Sequence, residues 1–276
     1  MTEHFTLTAK DGISLYGKEW LVDHPKAAIC LVHGLGEHIG RYEHVAEFLN
    51  SHEISLFAVD LRGHGQSEGK RGHTPSHDML LDDVEELLMH ARAEYNDIPL
   101  FLYGHSLGGN IVTNYVLKKN TNELAGAIIS SPWLTLSFQP SIFQVKLAKF
   151  FSKVLPSLAQ KNGLNADHLT HNKEINDAYL ADPLNHNKIS ARLFLETFEA
   201  GLWTLENTHK NKIPLLIFHG NEDKITSAHT SQVFAEKVGE LATYHQWEGV
   251  RHELHNDVRK DEVMILMLEW VNGHLT

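Results

Sequence analysis

Pro99-Leu-Phe-Leu-Tyr103 runs straight into Gly104-His-Ser106-Leu-Gly108-Gly109, and Leu107–Lys119 follows with helical character. An apolar strand, a serine between glycines and a helix in immediate succession form the setting that a Gly-x-Ser-x-Gly nucleophile turn requires. The reason is geometric. The chain swings so sharply from strand to helix that side chains two places before and two places after the serine would collide, so glycine stands at both. The turn lifts the Ser106 hydroxyl out of the sheet at the strand's C-terminal end. The helix N-terminus beside it offers unpaired N–H groups where negative charge would develop. The pattern alone is short and built of common residues. The strand before it, the helix after it and Gly109 as a third small residue make Ser106 the nucleophile candidate.

Outward from this turn, Asp11-Gly12 between Phe5–Thr8 and Ile13–Tyr16 predicts a hairpin. Ala27–His33, Ser55–Val59 and Ala127–Ser130 read as buried strands, and Arg41–Ser51 and Pro75–Tyr95 as helices. In the second helix Leu80, Val84, Leu87, Leu88 and Ala91 form one stripe, with Asp82, Asp83, Glu85 and Glu86 on the wet side. The alternation stops over residues 132–203, which read as helices broken by Pro140, Pro156, Gly163, Pro183 and Gly201. It resumes with strands Pro214–His219 and Ala242–Trp247 and helices Ser227–Lys237 and Asp257–Val271. A hairpin followed by alternating strands and helices predicts an α/β fold, a mostly parallel sheet covered on both faces. Residues 1–131 and 204–276 would form its core and residues 132–203 an inserted helical lid.

Composition narrows the function. The 276 residues carry 24 Lys and Arg against 35 Asp and Glu, a net charge of −11, with 42% apolar and 21% charged residues. That apolar content excludes a disordered chain, and the negative charge argues against a nucleic-acid binder. Cys30 is the one cysteine, so an internal disulfide is excluded and a reducing cytoplasm is expected. The N-terminus has no signal-peptide pattern, and no run of apolar residues is long enough for a spanning helix. The 21 histidines would carry the net charge to +10 if all were protonated, which predicts a steep change in surface behaviour near pH 6.

A serine hydroxyl needs a base, and the base needs an acid to orient it. In the order serine, acid, histidine, the acid should lie just past a later strand. Leu215-Leu-Ile-Phe-His-Gly-Asn-Glu-Asp223 supplies Asp223, with Glu222 as the alternative. After the next strand come Val250-Arg-His252-Glu-Leu-His255, so His252 is the base and His255 the fallback, while His245 sits inside the strand. The oxyanion needs two N–H donors. Leu107 follows the nucleophile, and Leu35 lies in the glycine-rich His33-Gly-Leu-Gly36 loop after an earlier strand.

His33-Gly-Leu-Gly-Glu-His38 with Arg41-Tyr42, then Asp60-Leu-Arg-Gly-His-Gly-Gln-Ser67-Glu-Gly69, Gly104–Gly109, Asp182-Pro-Leu184 and Gly249-Val-Arg-His-Glu-Leu-His255 together resemble the monoacylglycerol lipases and related lysophospholipases of the α/β-hydrolase fold. The matches run in order along nearly the whole chain. The resemblance implies an eight-stranded sheet, a lid after the sixth strand, Ser106, Asp223 and His252 as triad, and neither metal nor cofactor. It implies that Arg41 and His255 help hold a glycerol head group, with Tyr179 near that pocket. The acid the family carries four places before Tyr179 is replaced by Ile175, with Glu174 one place off.

Other signals weigh less. Ser67 lacks a nucleophile turn, and Gly69-Lys70 lacks the Ser/Thr of a phosphate loop. His252 and His255 are three apart where a zinc helix needs four, and His73 and His77 read as solvated. Within Ser141–Leu155, Phe143, Leu147, Phe150, Phe151 and Val154 form one helical stripe beside Lys146, Lys149 and Lys153. That pattern suits either transient contact with a membrane surface, peripheral and through the lid, or packing on the core with the lysines in water. The expectation is a serine ester hydrolase that releases a fatty acid from a single-chain lipid ester, monoacylglycerol, through an acyl-enzyme on Ser106. Leu134, Leu136, Phe138, Phe143 and Phe151 are candidates to cover the acyl chain. A lysophospholipase or general carboxylesterase would use the same triad. A proline-iminopeptidase-type peptidase would need an acidic pocket for an amine, and a non-catalytic binding module should have lost a triad member. Because His252 must be neutral to act, kcat/KM should fall on the acid side with an apparent pKa near or below about 7.

Overall fold

The computed structural model describes residues 1–275. Strands β1 (Thr2–Thr8) and β2 (Ser14–Trp20) form the expected hairpin, with Gly12 in the left-handed region at φ 86°. There follow β3 (Ala27–Val32), α1 (Glu43–Asn50), β4 (Ile54–Val59), α2 (His77–Glu94), β5 (Leu100–His105), α3 (Leu107–Lys118) and β6 (Leu124–Ser130). Between β6 and the next strand of the main sheet lie α4 (Ile142–Val154), β7 (Ala159–Lys161), α5 (Lys173–Ala181), β8 (Lys188–Ser190) and α6 (Ala191–Glu206). The chain closes with β9 (Leu215–Gly220), α7 (Ala228–Val238), β10 (Ala242–Trp247) and α8 (Lys260–Asn272).

Eight strands make one sheet in the order β1-β2-β4-β3-β5-β6-β9-β10. β1 and β2 pair antiparallel, as do β2 and β4, and every later pair is parallel. The central strands β3, β4, β5 and β9 are buried along their whole length, which is why they read as unbroken apolar runs: both faces are covered. Helices α1 and α8 close one face over Ile29, Leu31, Phe101 and Phe218, and α2, α3 and α7 close the other over Cys30, Leu102 and Ile217. The parallel strands end at one edge, and the loops leaving β3, β5, β9 and β10 converge there. The short β7–β8 pair, antiparallel and separate from the main sheet, was not legible as strands.

The structure corrects several expectations. Arg41–Ser51 is not one helix: a 3-10 turn over Ile39–Tyr42 precedes α1, held where His38 caps Gly40 and Asp60 Oδ1 accepts the Ile39 N–H. The last helix begins at Lys260 because Asp257 instead ties a turn, accepting from the backbone N–H groups of Arg251, His171 and Val258. Asp83 is buried rather than wet, paired with both the Nε and an Nη of Arg62 at 2.6 and 2.7 Å. His77 is buried on Asn110 Oδ1 at 2.8 Å, and His73 meets Ser190 Oγ at 3.0 Å, so neither is simply solvated. Among the described residues no helix is long and apolar enough to cross a membrane.

Candidate active site

Ser106 sits at φ 55°, ψ −113°, between the last residue of β5 and the first of α3. A left-handed non-glycine residue is strained and persists only where its surroundings fix it. Here its N–H donates to Ser130 O at 3.0 Å, and its carbonyl accepts from Trp133 N at 2.9 Å and Asn110 N at 3.0 Å. The glycines are there for close approach. A Cβ on Gly104 would overlap the Gly108 carbonyl, and one on Gly108 would overlap the Val32 carbonyl oxygen.

Ser106 Oγ lies 2.9 Å from His252 Nε2, and His252 Nδ1 lies 2.6 Å from Asp223 Oδ2. The three side chains, separated by up to 146 positions, meet as one hydrogen-bonded row in which His252 and Asp223 are buried. Asp223 Oδ1 accepts from Ile225 N at 2.7 Å and Thr226 N at 3.1 Å, while Oδ2 also faces His219 Nε2 at 2.8 Å. Burial opposes the Asp223 charge, but His252 and the hydrogen bonds from His219 and His252 outweigh it and hold the carboxyl well below its usual range. Burial likewise works against a charged His252, and the Asp223 carboxylate overcomes it, raising the imidazole above its ordinary value. The alternatives fall elsewhere. Glu222 is exposed and bound to His171, His245 is exposed on the edge strand, and His255 is fully buried.

The loop after β3 closes over the serine: a Cβ on Gly34 would stand 3.2 Å from Ser106 Cβ. Two buried groups fix this loop. His33 Nε2 accepts the Leu61 N–H at 2.9 Å, so its Nδ1–H donates to Gly34 O at 2.8 Å, and Gly34 N–H donates to Glu37 Oε1 at 2.6 Å. Among the described residues no group accepts from the N–H of Leu35 or Leu107, leaving both free for a ligand oxygen.

The residues implied for a head group part company. Tyr179 borders the cavity, its hydroxyl donating to Gly36 O at 3.3 Å. Arg41 does not. Its guanidinium is bidentate on Glu253 at 2.6 and 2.7 Å, reaches Glu37 at 2.7 Å, and lies 4.9 Å above the Tyr179 ring. His255 is also set back from the cavity, stacked on Tyr42 with ring centroids 4.6 Å apart. Glu37 and Glu253 border the cavity instead, and sequence reading missed both, although each lies within a motif already singled out. Burial pushes Glu37 up, whereas Arg41 overcomes burial at Glu253 and draws it down to about 2.

Ser106 and His252 open into a cavity of about 700 Å³. Its wall is chiefly apolar, with Leu136, Phe138, Leu147, Phe151 and Phe194 among the lining residues. Leu134, expected to cover an acyl chain, is instead packed in the core, and Phe143 is 72% exposed on the outer side of α4. The steep change expected near pH 6 is curtailed, because burial lowers His33 to about 3, His77 and His186 to about 4, and His64, His105 and His255 well below the ordinary value.

Comparison with known proteins adds four findings. The family model described as serine aminopeptidase, S33, matches residues 23–259. An uncharacterized abhydrolase domain-containing protein of Dictyostelium discoideum is 35% identical over 91% of this chain, which spans only 27% of that longer protein; phospholipase YtpA of Bacillus subtilis is 31% identical over 88% of this chain and 94% of its own. The crystal structure of Paleococcus ferrophilus monoacylglycerol lipase is 33% identical, with a TM-score of 0.85 over 94% of this chain and 99% of that one.

Proposed function

The chain belongs to the α/β-hydrolase family of serine aminopeptidase S33 enzymes and monoacylglycerol lipases, and on that premise we propose that it hydrolyses monoacylglycerol to a fatty acid and glycerol. The observation that carries the proposal is the hydrogen-bonded row Ser106–His252–Asp223 opening into an apolar cavity. Ser106 attacks the ester carbonyl while His252 Nε2 takes its proton. Asp223 holds the Nδ1–H tautomer and stabilises the imidazolium. The N–H groups of Leu35 and Leu107 receive the oxyanion, a contribution worth about 10²–10³ in rate for each donor. His252 returns the proton to the departing glycerol oxygen, and water, activated by the same imidazole, then releases the fatty acid from Ser106. No metal or cofactor enters this cycle.

Residues 132–203 serve in this reading as the lid over the acyl chain. Phe143, Phe150 and Val154 on α4 are exposed beside Lys146, Lys149 and Lys153. We assign this face to transient contact with an anionic bilayer surface from which the single-chain ester is drawn, the lysines lying against the head groups. Buried Cys30, its thiol pushed up by burial, suits a reducing cytoplasm. A lysophospholipid is the second reading, favoured by Lys224 at the cavity wall, where an ammonium can meet a phosphate. A peptidase reading is disfavoured because Arg41 already compensates Glu37 and Glu253, the carboxylates that border the cavity.

The test is turnover of monoacylglycerol, lysophosphatidylcholine, a short soluble ester and an N-terminal prolyl peptide, with Ser106→Ala as control. Monoacylglycerol should be preferred, and the variant should be inactive with its Tm within a degree or two. Turnover of the peptide alone would overturn the assignment.

A further inference from the structure

We propose, building on the triad reading above, that His219 is a positioning residue for the catalytic acid: its Nε2–H holds the same Asp223 oxygen that faces His252, and so sets the pH at which His252 takes up a proton.

His219 is the penultimate residue of β9, four before Asp223, and both side chains are fully buried. Its Nε2 lies 2.8 Å from Asp223 Oδ2 and its Nδ1 lies 2.9 Å from Ser231 Oγ on α7. An ionised carboxylate only accepts, so Nε2 carries the proton, and the Nδ1 lone pair accepts the Ser231 hydroxyl. The ring is tied at both ends. Thr226 Oγ1 is 2.9 Å from the same Asp223 oxygen, but it has one proton, for which Ser131 O competes at 3.1 Å. His219 is therefore the second imidazole on an oxygen whose other imidazole does the chemistry.

A donor to a carboxylate stabilises its charge and weakens its pull on a neighbouring cation. Without His219, Asp223 would attract the His252 imidazolium more strongly, and the base form of His252 would appear only at higher pH. Asp223 would also lose one of the bonds that fix its plane. The other ionisable groups around His252 are His105 at the end of β5, Glu37 after β3, and Glu253 and His255 on its own segment. Against His219 stand Asp223, the Thr226 hydroxyl at 3.3 Å from Nε2 and, from α7, the Ser231 hydroxyl. The variants below leave all of these in place.

The experiment compares two amides. Gln reaches far enough to put an N–H where Nε2 stands, whereas Asn reaches only as far as Nδ1. The pH profile of kcat/KM on a soluble ester is measured for wild type, His219→Gln and His219→Asn, with Ser106→Ala alongside. His219→Asn should move the acid limb up by about half a unit or more and lower kcat about tenfold, with KM little changed. His219→Gln should keep the wild-type limb. A limb that stays put in His219→Asn, or moves equally in both variants, overturns the inference while leaving the triad reading intact. If His219→Asn melts below the assay temperature, His219→Leu, which also lacks the N–H, takes its place: its limb should rise while that of His219→Gln stays, and equal limbs in the two overturn the inference. If wild type turns over no ester, or Ser106→Ala remains active, the triad reading fails and this inference falls with it.

Discussion

Around Ser106 the polar side chains are held from several sides: Asp223 by two backbone N–H groups and two imidazoles, Glu37 by Gly34, Tyr42 and Arg41, and Glu253 by Arg41 and Asn256. At the other end of the same cavity, α4 turns Phe143 and Phe150 to solvent, 72% and 58% exposed, beside lysines with little to bind. The floor is placed by directional bonds in a buried setting, where a shift of a few tenths of an ångström breaks contact. The mouth is placed by backbone hydrogen bonds, a capping box between Ser141 and Gln144 and the Arg192 guanidinium on Ser152 O, and its outer side chains stand in solvent. Substitutions should therefore separate the two: at the floor rate and stability change together or rate alone collapses, and at the mouth only the physical state of the substrate matters.

The largest expected effect is on the floor. Asp223→Asn keeps the shape but offers an amide where His252 needs an acceptor, and kcat should fall about 10⁴-fold on every ester. A loss under tenfold would move the acid elsewhere. Next comes Arg41→Ala, which strips the cation from two buried carboxylates and should cost about 3–5 kcal/mol of stability by denaturant unfolding. An unchanged midpoint would mean that Glu37 and Glu253 reach solvent. Acid should then act on chemistry and on folding over overlapping ranges. The raised His252 must lose its proton to act, so kcat/KM falls as pH drops through a value above the ordinary 6.5 of histidine. Stability conferred by Glu253 is present above its ordinary 4.5 and lost as pH falls toward about 2, with Asp223 acting in the same direction and the upward shift of Glu37 offsetting part of it. Burial also holds His33, His64, His77, His105, His186 and His255 below the ordinary 6.5, so unfolding takes up protons once pH falls below that value; stability should decline in the same window as activity and go on declining toward pH 2, and an unfolding midpoint flat from pH 7 to 5 would contradict this. The smallest effect belongs to the mouth. Phe143→Ser with Phe150→Ser should leave Tm within about two degrees and soluble-ester turnover within about twofold while lowering turnover of vesicle-borne substrate about tenfold. Equal loss on both substrates would mean that these rings shape the cavity and do not meet a surface.

The same contrast explains what could be read from the chain. The sheet was legible because β3, β4, β5 and β9 are covered on both faces and so carry unbroken apolar runs. The meeting of Ser106, Asp223 and His252 was legible because each lies just past a strand whose end shares one edge. Asp83 was misjudged because periodicity reports which face a residue is on, not whether a buried arginine waits there. Arg41 was given a ligand's role from the resemblance, and the carboxylate that holds it in the structure, Glu253, lies 212 positions away and is joined to it only by folding. The exposure of α4 was undecidable, since an apolar stripe has the same spacing whether it meets a core or a solvent boundary.

One backbone oxygen ties another part of the insertion to the floor. Gly36 O accepts from His186 N at 3.0 Å and from the Tyr179 hydroxyl at 3.3 Å, so residues 179–186 are stitched to the loop that bears Leu35. An engineer wishing to retarget this scaffold to bulkier esters therefore has unequal freedom along the insertion. Residues 138–158 are tied outward, by Arg192 on Ser152 O and Lys70 on Ser157 Oγ, so exchanging them should reshape the cavity wall first. Residues 179–186 have less freedom, because a graft there would disturb the Gly36 bonds to the loop we propose as an oxyanion donor along with the shape of the pocket.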